Sequence, residues 1–189
     1  MTAMRWFVQL SLLVILSAAA CATRPSAPQC GDWEQLMTSI HALDLSGSWQ
    51  SLTTTEVQRR WRAPAIAAND DFVSFEETPS AAICGCFQVA HFHSGALRSL
   101  AVTRNESDRA TAIHHQRELV AAVQPSSSEA IVAGSEEDRL YRWMLDEEEG
   151  SRRQLGLEIT VSRCGSGWQL HAVVSLFQTK VRASQDLVK

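Results

Sequence analysis

The sequence has little of what marks several protein classes. Only 9 of its 189 residues are Gly and 5 are Pro, which excludes a collagen-like chain and argues against low-complexity disorder. Charged residues amount to 20%, none of them in a Lys run, and the formal net charge is −4, so nucleic acid is not an expected partner. With 45% hydrophobic residues, the chain suits one domain or two small halves, but it is too polar for a multi-span membrane protein.

Sequence motifs for catalysis are also lacking. The nearest approach to a Gly-x-Ser-x-Gly nucleophile motif is Gly165-Ser166-Gly167, which is typical of a hairpin turn. His114 and Glu118 are spaced as neighbours on one helix face, but the second His of a zinc-protease helix is missing. We therefore expect neither an enzyme nor a cofactor.

The first twenty residues have the pattern of an export signal. Arg5 precedes an apolar stretch over residues 6–16, and small residues follow up to Cys21. That stretch is too short for a bilayer span and ends in small residues, as a cleaved signal peptide does. Small residues directly before Cys21 resemble the lipobox of bacterial lipoproteins, although Ala18 stands where Leu is commoner.

This pattern predicts removal of residues 1–20 and a lipid anchor on Cys21. Residues 21–31 then form a short tether that includes Pro25 and Pro28. Ala22 and Thr23 are not acidic, which resembles the sorting signal for the outer membrane, so we expect the protein to face the periplasm. Simple secretion and an uncleaved anchor helix are the alternatives.

Four cysteines remain if Cys21 is acylated, and an even number in an oxidising compartment indicates disulfides. Direct pairing of Cys84 with Cys86 is disfavoured by strand geometry. We therefore expect Cys30 to pair with Cys84 or Cys86, and Cys164 to pair with the other.

The hydrophobic periodicity predicts an alternation of helices and strands. Steps of three and four indicate helices over residues 33–43 and 109–123, the first capped by Asp32, and Thr53 caps a short helix that ends before Pro64. A period of two indicates strands over residues 72–76, 82–93, 97–103, 140–146, 155–163 and 168–177.

The order helix, short helix and three strands occurs twice in this prediction. The segment 53–57 matches the segment 126–130, and Gly95 matches Gly167 in the hairpin turns. We therefore predict an α+β fold of two tandem helix-helix-three-strand halves, at 32–105 and 106–180, with an antiparallel sheet covered by helices and a tail at 181–189. Chance similarity of caps and turns is the alternative.

Two tandem halves of this kind resemble the β-lactamase inhibitor protein. The single unit is similar to the BamE-like (SmpA/OmlA) lipoproteins, and Arg62-Ala63-Pro64 departs from that family, which usually has Gly before its Pro. The resemblance implies a non-enzymatic role in outer-membrane assembly or in inhibition of a periplasmic enzyme. The matching residues are Thr53 to Val57, Pro64, Phe72, Phe75 and the turn at Gly95.

The leading hypothesis is a cell-envelope lipoprotein that binds another envelope protein through the sheet face left uncovered by helices. The candidate contacts are Tyr141, Trp143, Trp168 and His171, because aromatic side chains are enriched in protein interfaces. The alternative for these aromatic residues is that they pack under the helices.

A periplasmic metal-binding or redox protein is the second hypothesis. Cys84, Cys86, His91 and His93 place four soft ligands within ten residues. On a regular strand the two cysteines and the two histidines lie on opposite faces, so a metal site needs a bulge between them.

Overall fold

The computed structural model describes residues 30–45, 52–77, 85–125, 129–148 and 151–180. The predicted signal segment, Cys21, Cys84 and the tail at 181–189 lie outside these ranges. Within them the chain forms three helices, α1 (Trp33–Leu43), α2 (Thr54–Arg60) and α3 (Arg109–Val123). Eight strands accompany them: β1 (Ala67–Ala68), β2 (Phe72–Glu77), β3 (Phe87–His93), β4 (Ala96–Glu106), β5 (Ile131–Gly134), β6 (Asp138–Glu148), β7 (Ser151–Cys164) and β8 (Gly167–Lys180).

Each helix begins at a side chain that accepts a hydrogen bond from the first turn. The Asp32 carboxylate accepts from the Glu34 N–H of α1 at 3.0 Å, and the Thr53 hydroxyl accepts from the Glu56 N–H of α2 at 3.3 Å. The predicted bounds of α1 and α3 are confirmed, because amphipathic periodicity and a polar cap agree at both helices.

The N-terminal cap of α3 makes the stability of the protein depend on pH in the acid range. The Thr111 N–H donates to the Asp108 carboxylate at 2.9 Å, and this bond, with others from Ser107 and Thr111, lowers the pKa of Asp108 from 3.8 to about 2. A lowered pKa means that the stabilisation is complete above the unfolded-state pKa and is lost as the pH falls through about 2.

We expect a carboxyl NMR titration to place the Asp108 pKa near 2. An Asp108→Asn variant keeps a capping oxygen but cannot ionise, so its melting temperature should fall less than that of the wild type between pH 5 and pH 2. Parallel pH profiles for the two proteins would contradict this role for the carboxylate.

The eight strands form one antiparallel sheet in the order β1-β2-β3-β4-β8-β7-β6-β5. Strands β4 and β8, which are far apart in sequence, pair at its centre with Ala101 opposite Val173. Two-residue turns connect β3 to β4 and β7 to β8, and positive φ angles at Ser94, Gly95 and Gly165 suit these tight hairpins.

The mixed α+β class is confirmed, with a sheet larger than expected. Each predicted strand overlaps an observed one, but the strand predicted over residues 82–93 is observed only from Phe87, because residues 82–84 lie outside the described ranges and Gly85 and Cys86 are not in a strand. Strands β1 and β5 are not in the prediction, because two and four residues are too few to establish a period of two. The short helix expected after residue 126 falls partly on residues 126–128, outside the described ranges, and Ile131–Gly134 is a strand. Ile131 and Val132 are β-branched and favour the extended backbone.

The helices lie on one face of the sheet and cover the core. Helix α3 packs on β7 and β8, α2 packs on β2, and α1 packs against both other helices. Alternate residues of β7 and β8 enter this core together with apolar residues of α1 and α3: Leu36, Ile40, Ile113, Leu119, Leu155, Leu157, Ile159, Leu170, Ala172 and Val174. Among the described residues, no helix combines the length and hydrophobicity needed to cross a membrane.

The expected disulfide of Cys30 is present and joins Cys86, with a Cα–Cα distance of 5.4 Å. The bond links the chain just before Gly31, and hence the start of α1, to the start of β3. Cys164 is also disulfide-bonded, and its partner lies outside the described residues.

Candidate functional site

The candidate partner surface is the sheet face opposite the helices, here called the open face. Strand register and alternation place one side chain from each strand in rows across it. The central row joins Val89, Ala101 and Val173 on the three neighbouring strands β3, β4 and β8. Other members of the open face are Phe72, Phe87, His91, Thr103, Ile131, Leu140, Arg142, Met144, Glu158, Thr160, His171, Ser175 and Phe177.

A row of polar side chains lies beside this central, apolar row. The Thr103 hydroxyl and the His171 Nδ1 atom are 2.7 Å apart, and the ring of Phe87 lies 6.1 Å from the imidazole. Farther along the same row, the Thr160 hydroxyl donates to the Asp138 carboxylate at 3.4 Å. Thr103 is buried, so the hydrogen bond to His171 satisfies it and orients the imidazole on the surface.

Phe177 is the most exposed aromatic side chain of the open face, with 51% of its surface accessible. Its ring lies over Gly156, where an added Cβ would come within 2.8 Å of the ring carbon Cε2. Gly156 therefore makes room for the ring, and Ile131 at the sheet edge is similarly exposed. Large exposed apolar side chains on one face are typical of a binding surface.

The four predicted contact residues do not lie on one surface. Tyr141 and Trp143 stack with ring centroids 5.9 Å apart and belong to the core, where Trp143 is 0% exposed. Their burial leaves almost no surface for a partner. Trp168 packs on the helix side, with the Arg163 guanidinium 5.8 Å from its ring, and only His171 lies on the open face.

The alternative metal ligands are also separated. The disulfide to Cys30 leaves Cys86 without a thiolate for a metal, and Cys84 lies outside the described residues. His91 and His93 are exposed near the end of β3, where a register shift follows His91. In the described ranges no group of three or more His, Cys, Asp or Glu side chains could hold a metal ion.

Comparison with known proteins identified no relative. No protein-family model, curated protein or solved structure matches the chain.

A second cluster of polar residues lies on the helix side, between β4, α1 and α3. Arg104 and Glu106 are 5% and 9% exposed, and the Arg104 Nε lies 4.0 Å from the Glu106 carboxylate. The Arg104 guanidinium also donates to the Gly31 carbonyl, and the Nδ1 atom of His115 lies 2.8 Å from Glu106. We call Arg104, Glu106, His115 and Trp33 the ionic cluster.

Trp33 closes the ionic cluster from the side of α1. Its indole stacks on the His115 ring at 3.9 Å and lies 5.5 Å from the Arg104 guanidinium, a cation–π contact. The indole N–H donates to the Glu118 carboxylate at 2.6 Å. The stacked indole and the carboxylate–histidine contact together join α1, α3 and β4.

Sequence reasoning did not find the ionic cluster, although a signal for it exists. The predicted strand ends at residue 103, whereas β4 continues to Glu106. Its alternation then places Arg104 and Glu106 on the face that carries Leu100 and Val102. Charged residues at core-facing strand positions are the signal for a buried ion pair.

Proposed function

We propose that the protein is a lipid-anchored protein of the bacterial cell envelope that binds another envelope protein through the open face. The observation that carries the proposal is the exposed Phe177 on a face that no described helix covers, the same face that holds the apolar row of Val89, Ala101 and Val173. An apolar centre with Thr, His and charged side chains around it is the usual anatomy of a protein interface. The partner is accordingly a protein with a complementary apolar patch.

The envelope location is supported by the cysteines together with the leader. The Cys30–Cys86 disulfide and the disulfide-bonded Cys164 suit an oxidising compartment, where such bonds persist. Small residues directly before Cys21 favour a lipid anchor on that residue, and the non-acidic Ala22 and Thr23 favour the outer membrane, with the body in the periplasm.

We also propose that the two halves of the chain arose by duplication. The strand order runs inward from β1 to β4 and from β5 to β8, so that each half contributes four strands and the last strands pair. The match of Gly95 with Gly167 makes Val89 correspond to Val161, but these two residues lie on opposite faces, because Val161 is in the core. If β3 and β7 are equivalent strands of a duplication, their alignment is therefore shifted by one residue from the sequence match.

Photo-crosslinking from the open face tests the binding function. We expect a benzoylphenylalanine at Phe177, which resembles the native ring, to form an adduct with one envelope protein in the producing bacterium. The same group at Ala121, exposed on the solvent side of α3, serves as the matched control and should form none.

Two further variants assign the adduct to the open face. Ser175→Arg, in the row next to Val173, should abolish the adduct from position 177, whereas Ala121→Arg should leave it unchanged. A Cys21→Ser variant should leave the membrane fraction and still form the adduct. Equal labelling from positions 177 and 121, or an adduct that survives Ser175→Arg, would contradict the proposal.

A further inference from the structure

A cavity of about 200 Å³ lies on the helix side of the sheet, between α1, the residues after α2, and strands β2 and β3. Buried side chains form its floor, and exposed or half-buried residues surround its mouth. The floor consists of Leu36, Ser39, Trp61, Phe75 and Gln88, and the mouth of Gly31, Asp32, Gln35 and Ala63.

The floor is mainly aromatic and apolar. The rings of Trp61 and Phe75 stack at 4.5 Å with an interplanar angle of 17°. The Ser39 hydroxyl donates to the Gln35 carbonyl at 2.9 Å and accepts from the Arg62 N–H at 3.1 Å. Since these backbone partners already engage Ser39, the floor offers a ligand mainly aromatic surface.

The lining of the mouth carries one negative charge. Asp32 has the only charged side chain among the nine lining residues, and outside the lining Glu34 in α1 and Arg62, between Trp61 and Ala63, carry opposite charges. The carboxylates of Asp32 and Glu34 oppose the partial positive charge at the start of α1. The buried Arg104 reaches the mouth only at the Gly31 carbonyl and lies beside Glu106.

We propose that this cavity binds a small organic ammonium ion with an aromatic or apolar body. The cationic group would lie at the Asp32 carboxylate, and the apolar body would contact the rings of Trp61 and Phe75 on the floor. The volume is below the roughly 300–1,000 Å³ of drug-sized sites, which restricts the ligand to a small molecule. The site is independent of the open face, because it lies on the other side of the sheet.

Calorimetric titration of the disulfide-bonded protein tests the site with three compounds of similar size. These are 2-phenylethylammonium, the neutral 2-phenylethanol and the anionic phenylacetate. We expect the ammonium ion to bind about two- to fivefold more tightly than the alcohol, and the carboxylate to bind more weakly than the alcohol. In NMR spectra, the ammonium ion should shift the indole N–H of Trp61 and the side-chain amide of Gln88.

Two variants distinguish the charge of the site from its volume. Asp32→Asn keeps a good helix cap and removes the negative charge, so the affinity for the ammonium ion should fall about two- to fivefold while that for the alcohol stays unchanged. Ala63→Leu should weaken both by filling the cavity. Equal affinities for all three compounds, no binding of any, or an unchanged affinity in Asp32→Asn would overturn the proposal.

Discussion

Replacing Cys30 and Cys86 together by Ser is expected to lower the free energy of unfolding by about 2–4 kcal/mol. The disulfide spans 56 positions in sequence, so its loss gives the unfolded chain much additional freedom. It also releases the segment that carries Gly31, whose carbonyl accepts from Arg104. Denaturant unfolding of the double variant measures the loss, and the double substitution avoids a free thiol that could pair wrongly.

The wild type unfolded in reducing agent is the matched comparison for this variant. It also loses the disulfide of Cys164, so we expect it to be less stable than the double variant. Because neither residue lies on the open face, the adduct from Phe177 should persist in the double variant. A loss below about 1 kcal/mol, well under the typical effect of a disulfide, would mean that this bond constrains the unfolded chain very little.

The second large effect is expected for Arg104→Ala, which should lower the free energy of unfolding by about 3–5 kcal/mol. The substitution removes the guanidinium beside the buried Glu106 carboxylate, together with its contacts to the Gly31 carbonyl and the Trp33 ring. A carboxylate that loses its cationic neighbour in the interior is far more costly than the pair is favourable.

A double variant separates charge from packing in the ionic cluster. Arg104→Met with Glu106→Leu removes both charges and keeps most of the side-chain volume, so we expect it to be more stable than Arg104→Ala. Denaturant unfolding at pH 7 compares the two proteins. If the double variant were the less stable of the two, the hydrogen bonds of Arg104 and Glu106, and not their burial, would dominate the cluster.

Elements with two agreeing local signals could be predicted from the sequence. Helices α1 and α3 combine amphipathic spacing with a polar cap, and β7 alternates apolar and polar residues over many positions. The Cys30–Cys86 bond was one of two alternatives that the spacing left open. Each of these predictions rests on physics that acts within a few residues.

The sequence does not predict in the same way which face of each strand points into the core. Alternation indicates that Tyr141 and Trp143 share a side, but the packing of distant helices decides which side becomes the core. The ionic cluster and the cavity likewise join residues from α1, a β-strand and a third element. Spacing within one element does not indicate such contacts, because each depends on how α1 packs against the sheet.

The pairing of β4 with β8 also governs the order in which the protein can fold. The hairpin of β3 and β4 forms from neighbouring residues, but its inner edge stays unpaired until β8, the last strand of the described chain, has been delivered. Pairing between strands that are far apart in sequence is slow. Until it occurs, the unpaired edge of β4 can pair with another chain. A polypeptide that leaves the ribosome or a translocation pore N-terminus first therefore cannot complete the sheet until β8 has emerged. A chaperone that covers the edge of β4 until then would increase the yield of native protein.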